Sequence, residues 1–172
     1  MFDSRYDVVS TALYGETRFA SSSSLSITGG LRIEQYEADY VDTNDINVST
    51  SDTMWGGHLS AINKYNDNLQ VYVRLSRGFK AGGVNGEALS HVDDEALGEL
   101  SIALREQTAF KPEQLNNIEM GIRGNNRSRS ITASANLFFS TRDNIQIKQW
   151  ITNEQAVQKD GANPVFIGYI SN

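Results

Sequence analysis

Three glycines, Gly82, Gly83 and Gly86, follow a strand-like run in the stretch VYVRLSRGFKAGGVNGEAL, with Lys80 just before them. Glycines beside a lysine are the raw material of a phosphate cradle, where backbone N–H groups and an ammonium hold the anion. The residue order excludes it: a Walker-type loop needs G-x-x-x-x-G-K-[ST] leading into a helix, whereas Lys80 precedes the glycine pair and Asn85-Gly86 signals a turn. His91, in HVDDE beside Asp93, Asp94 and Glu95, raises metal ligation, but one histidine with adjacent loop carboxylates does not converge on an ion, and a solvated loop is the better reading. His58 lies on an alternating stretch and reads as a polar wall residue. Neither histidine is flanked by a nucleophile pattern, and no G-x-S-x-G elbow is present. The absence of cysteine removes thiolate metal sites, a thiol nucleophile and disulfides. No catalytic residue, metal site or cofactor is expected, and the chain does not read as an enzyme. A net charge of -6 also argues against a nucleic-acid partner, which needs a clustered basic face.

The elements that would carry these residues are strands. With two prolines, fourteen glycines and many Ser, Thr and Asn, the 172 residues suit strands and turns rather than a helix bundle. Period-2 alternation, which sends successive side chains to opposite faces, is the dominant signal. Leu69, Val71, Val73 and Leu75 alternate with Gln70, Tyr72, Arg74 and Ser76. Ile131, Ala133, Ala135, Leu137 and Phe139 do the same against Ser130, Thr132, Ser134, Asn136 and Phe138. Similar patterns run through SLSITGGLRIE and NIEMGIR, more weakly through VVSTALYGET and MWGGHLSAI, and a further strand begins in PVFIGYIS. Short turns (ASSSS, NKYNDN, GNNRSR) join alternate pairs. Long connections join the rest: EADYVDTNDINVSTSD, the stretch from Lys80 to Phe110, and KQWITNEQAVQKDGANP. Within the second of these, Leu89, Val92, Ala96, Leu97, Leu100 and Leu104 recur at helical spacing and predict a short amphipathic helix.

One apolar face, one polar face, and a rhythm of short and long connections is the layout of an outer-membrane β-barrel. The polar face carries Arg32, Glu34, Arg74, Glu119, Arg123 and Asn136, which suit a wet lumen and a plug within it, and Val71, Val73, Ala133, Ala135 and Leu137 would face lipid. Six strands, or seven, do not close a barrel and leave edges that hydrocarbon cannot satisfy. The fold class is therefore all-β: antiparallel up-and-down strands forming part of a large transmembrane barrel. Alternation also suits a soluble all-β binding or adhesion domain built around a packed core, and that reading stays open at this point.

With the barrel in view, RGFKAGGVN resembles a stretch of the TonB-dependent outer-membrane receptors, and further segments follow in the same order. FKPEQLNNIEMGIRG is similar to the family's Pro-Glu-x-x-x-x-x-Glu-x-Gly strand, through Pro112, Glu113, Glu119 and Gly121; ANLFFSTRDNIQ resembles the strand after it. ALYGET and LSITGGLRIE resemble paired strands upstream. Val84 stands where an aromatic is common. The resemblance implies that residues 1–172 belong to the barrel domain, with the plug, the TonB-contacting segment and the remaining strands outside this chain. It further implies the outer membrane of a Gram-negative bacterium as location, membrane lipid, plug and TonB complex as partners, and uptake of a scarce solute, most often a ferric siderophore. Residues at the long-loop ends, Arg77, Phe79, Lys80, Asn85, Arg142 and Asn144, are then the candidates for ligand contact. Trp55, Phe79, Phe110 and Trp150 are candidates for an interfacial aromatic girdle.

Overall fold

The computed structural model describes residues 3–92, 99–126, 128, 130–152 and 166–172. In chain order they form β1 (Ser4–Ala20), β2 (Leu25–Asp42), β3 (Asn47–Asn66), β4 (Leu69–Lys80), β5 (Gly83–Val84), α1 (Gly86–Leu89), α2 (Glu99–Arg105), β6 (Ala109–Phe110), β7 (Glu113–Asn125), β8 (Thr132–Asp143), β9 (Ile147–Thr152) and β10 (Phe166–Ser171). Six of these make one antiparallel sheet in the order β1-β2-β3-β4-β7-β8, so each wall strand pairs with the wall strand next in sequence.

The alternation of the sequence becomes two faces because residues opposite one another in a ladder share a side. Phe19, Ile27, Ala61, Val73, Met120 and Leu137 form one unbroken apolar row across all six strands. The neighbouring row, on the opposite face, reads Arg18, Thr28, Ser60, Arg74, Glu119 and Phe138. The apolar face is bare: Phe19 is 64% and Leu137 69% exposed. A soluble sandwich would lay a second sheet there, and none of the described elements packs on it. Full burial of one large apolar side chain is worth about 1.5–3 kcal/mol, so a face of this extent needs a nonaqueous surrounding.

Three expectations about the connections change. The sixteen residues read as a loop between the second and third strands continue the β2–β3 ladder, leaving only residues 43–46 as the turn. Asp42 closes it by accepting the backbone N–H groups of Asn44 and Ile46 (2.8 and 3.2 Å), and Asp45 takes a left-handed backbone with φ 62°. Pairing of backbone groups needs no apolar side chains, so the ladder runs on past the apolar belt. Second, the strand beginning in PVFIGYIS does not extend the wall: β10 pairs with β9 in a separate hairpin. Third, the helical stretch is two short helices; Ala96, Leu97 and the acidic residues Asp93, Asp94 and Glu95 lie outside the described residues.

The β4–β7 connection folds back onto the polar face. Ala88, Leu89, Val92 and Leu104 bury themselves with Val84, Ile167 of β10 and Tyr40 of β2, and Ile46, Val48, Ile151 and Tyr169 pack around them. Tyr40 lies on the polar side by register, an even number of residues along β2 from Arg32 and Glu34. A Cβ on Gly86 would meet the Tyr40 ring at 3.0 Å, so this glycine permits the close approach of α1 to the wall.

Candidate functional site

The polar face of the wall carries linked groups of hydrogen-bonding side chains. Arg32 grips Glu34 through Nε and a terminal nitrogen (2.9 and 2.7 Å to Oε2), while Ser10 donates to the other Glu34 oxygen. Tyr72 and Asn136 both donate to Glu119 Oε1, and His58 Nε2 lies 3.4 Å from Glu16 Oε2. Arg32, Glu34, Arg74, Glu119, Arg123 and Asn136 all stand on this one side by register. The arrangement offers charges of both signs to water or to a polar body against it. Among the described residues no group of three or more His, Asp or Glu side chains is placed to hold a metal ion.

At the long-connection end the face is partly covered by β5, α1, α2, β6 and the β9–β10 hairpin, and two polar residues stitch the cover together. Asn85 is buried; its amide donates to the carbonyls of Gln107 (2.8 Å) and Ile170 (2.7 Å), and its oxygen accepts the Ile170 N–H at 2.9 Å. Glu113, also buried, takes Arg142 at 2.9 Å on one oxygen and the Gln146 N–H at 3.1 Å on the other. Gln146 in turn donates to the carbonyls of Ala81 and Lys111 (2.8 and 3.1 Å). Burial, first, and the hydrogen bond to Asp42 push the Tyr40 phenol up to about 12.

The six candidates for ligand contact do not converge. Lys80 and Arg142 stand on the polar face, on either side of Glu113. Asn144 closes the turn after β8 with φ 53°, and its carbonyl accepts the Asn172 side chain at 2.8 Å. Both ends of the Asn85 amide are taken by backbone partners, so it acts as a clamp of the cover. Arg77 is level with Gly57 and Asn116 on the apolar side, one residue pair beyond Leu75 and Ile118, with its guanidinium 4.2 Å above the Trp55 ring. The Phe79 ring lies against Gly56, where a Cβ would be 3.1 Å away. Of the four girdle candidates, Trp55 is on the apolar face, half exposed, whereas Phe110 and Trp150 belong to β6 and β9, outside the wall. Sequence reasoning missed Glu113, Gln146 and Tyr40 as organisers of the mouth; the Pro-Glu motif contained Glu113, but its partners come from distant parts of the chain.

Comparison with known proteins agrees with this architecture. The family model described as TonB dependent receptor-like, beta-barrel matches residues 1–161. A search of curated proteins finds no match. Among solved structures, the ferric yersiniabactin uptake receptor FyuA from Yersinia pestis is similar at 19% identity with a TM-score of 0.62, over 85% of this chain and 22% of that one. The copper transporter OprC is similar at 14% identity and TM-score 0.65, over 95% of this chain and 24% of that one. The ferripyoverdine receptor of Pseudomonas aeruginosa is similar at 15% identity and TM-score 0.57, over 95% and 19%. The chain thus spans less than a quarter of the length of these structures. The match over most of the chain, with a six-stranded sheet apolar on one side and polar on the other, makes this chain a member of the TonB-dependent receptor-like β-barrel family, a stretch of barrel wall in the outer membrane of a Gram-negative bacterium.

Proposed function

We propose that this segment is part of the lumen wall and outer mouth of a receptor that takes up a scarce solute, a ferric siderophore, by TonB-dependent transport. The observation that carries the reading is the folded cover: β5, α1, α2, β6 and the β9–β10 hairpin sit over the polar face at the end where the long connections gather. A wall serving only as a pore would leave that face open to water. Here the cover narrows the mouth, and Lys80 and Arg142 stand at its rim on the same face, where an anionic chelate would meet them first. Below the rim, Arg32, Glu34, Arg74, Glu119, Arg123 and Asn136 form the surface against which a plug would rest and slide. Energy from TonB would reach this wall only through that plug. Of the three similar structures described above, one is a ferric yersiniabactin uptake receptor, one a ferripyoverdine receptor and one a copper transporter, so the cargo is the point to test.

The decisive experiment expresses the full-length receptor in a Gram-negative host stripped of its own siderophore receptors and measures growth under iron limitation with a panel of ferric siderophores, with and without TonB. Growth restored by one chelate, and only with TonB present, is the expected result. Restoration by copper alone, or growth independent of TonB, overturns the reading.

A further inference from the structure

Arg77 is a cation on the side of the wall that faces lipid. Its ladder partners, Gly57 on β3 and Asn116 on β7, lie in the row Leu31, Gly57, Arg77, Asn116 and Thr141. On β7 and β8 that row marks the upper limit of the apolar belt: one pair below it stand Leu75, Ile118 and Phe139, and one pair above stand Phe79 of β4 with Gln114 and Asp143. The side chain is held in place by neutral groups. Nε donates to the Trp55 carbonyl (3.3 Å), one terminal nitrogen to Asn116 Oδ1 (3.5 Å) and the other to Gln114 Oε1, while the ring of Trp55 lies beneath the guanidinium. Among the described residues no carboxylate pairs with it; Asp143 is one row farther out and two strands across. Three of the five N–H donors of an arginine are engaged, leaving two donors and the whole charge without a counter-ion. A cation is expensive in the hydrocarbon itself, and at its boundary the guanidinium reaches the level of the lipid phosphates.

Directly below lies a groove in the apolar face, of about 540 Å³, lined by Leu31, Trp55, Gly57, Leu59, Leu75 and Phe139 with Arg77 at its head. Gly57 makes room for it by carrying no side chain, and a Cβ there would strike the Gly30 carbonyl at 2.4 Å. The volume falls in the range of clefts that hold small ligands. We propose that Arg77 and this groove bind one anionic membrane lipid, with its phosphate at the guanidinium and an acyl chain along Leu59, Leu75 and Phe139. A planar, preorganised guanidinium stacked on an aromatic ring is suited to phosphate oxygens, and the polar-to-apolar step from Asn116 to Ile118 matches the step from headgroup to chain. The proposal rests on the barrel wall alone and is independent of the solute carried.

The test uses the full-length receptor in a nonionic detergent, with native mass spectrometry after addition of phosphatidylglycerol or of phosphatidylcholine with the same acyl chains. The wild type is expected to retain phosphatidylglycerol about tenfold more tightly, a preference that disappears in Arg77→Gln and is reduced in Arg77→Lys, which keeps the charge but not the planar fork. Inorganic phosphate should not displace the lipid, because it cannot use the groove. If Arg77→Gln fails to assemble, the wild type still decides: the preference should fall in about 1 M salt, where the Debye length drops to about 3 Å. Equal retention of both lipids, an unchanged preference in Arg77→Gln or at high salt, or displacement by phosphate alone would each overturn the site.

Discussion

Asn85 and Ile170, eighty-five residues apart, are joined by two hydrogen bonds, one in each direction between the Asn85 amide and the Ile170 backbone. Together with the bond from Asn85 to the Gln107 carbonyl, they tie the β4–β7 connection to the β9–β10 hairpin across the mouth. Replacing Asn85 by Ala leaves three partly buried backbone groups without this partner, at a cost of roughly 1–3 kcal/mol borne by the cover. The wall should be untouched. Hydrogen exchange on the full-length receptor should show lost protection at Ile170 and in α1, with the β1–β4 ladder unchanged; an unchanged α1 would refute the clamp.

The two outward glycines of one row should respond differently to alanine. A Cβ at Gly57 would lie 2.4 Å from the Gly30 carbonyl, within the ladder, whereas a Cβ at Gly15 meets nothing within 4 Å. Gly57→Ala should destabilise the barrel by about 1–3 kcal/mol, the range of overpacking, and Gly15→Ala should be neutral or slightly stabilising. Urea titration of the receptor refolded into liposomes gives both values.

Ala135 and Ser134 are neighbours on opposite faces of β8. Arginine at Ala135 would enter the hydrocarbon toward the short-turn end and cost about 1–3 kcal/mol, below the midplane maximum of about 4, while arginine at Ser134 would enter the polar side and cost well under 1 kcal/mol. The same titration separates them. Equal costs would mean that the faces have been assigned the wrong way round.

The Tyr40 phenol, above the belt and beneath α1, is pushed up to about 12 from 10.0 by burial and by Asp42. The native state therefore keeps a proton between pH 10 and 12 that the unfolded chain gives up. The stabilisation is complete below about pH 10 and is lost as pH rises through about 12. In an absorbance titration of phenolate formation, the difference between wild type and Tyr40→Phe should have its midpoint near 12. A midpoint near 10 would show that the cover does not exclude water from Tyr40.

Side-chain alternation is a local property, and for that reason the wall was legible. A run such as Val71, Tyr72, Val73, Arg74, Leu75 commits its residues to two faces whatever they pair with, and the ladder register then lines up Val73 with Met120 and Arg74 with Glu119. The same parity separates Arg77 from Lys80. Three positions apart, they cannot share a face of one strand, a signal present in the sequence but overridden by the grouping of both with the long-loop end. Two of the four girdle candidates stand apart for another reason: Phe110 and Trp150 have the right chemistry, yet their strands leave the wall.

By itself, then, the sequence determined the strand class, the two faces and the family resemblance, because each follows from residues close together in the chain. Tertiary structure alone decided that β10 turns away to pair with β9, that Asn85 is spent on Ile170 and Gln107, and that Glu113 gathers Arg142 and Gln146. Those outcomes depend on contacts between segments tens of residues apart. A short polar loop sequence has many ways to satisfy its hydrogen bonds, and which one wins is set by the wall and the hairpin it meets.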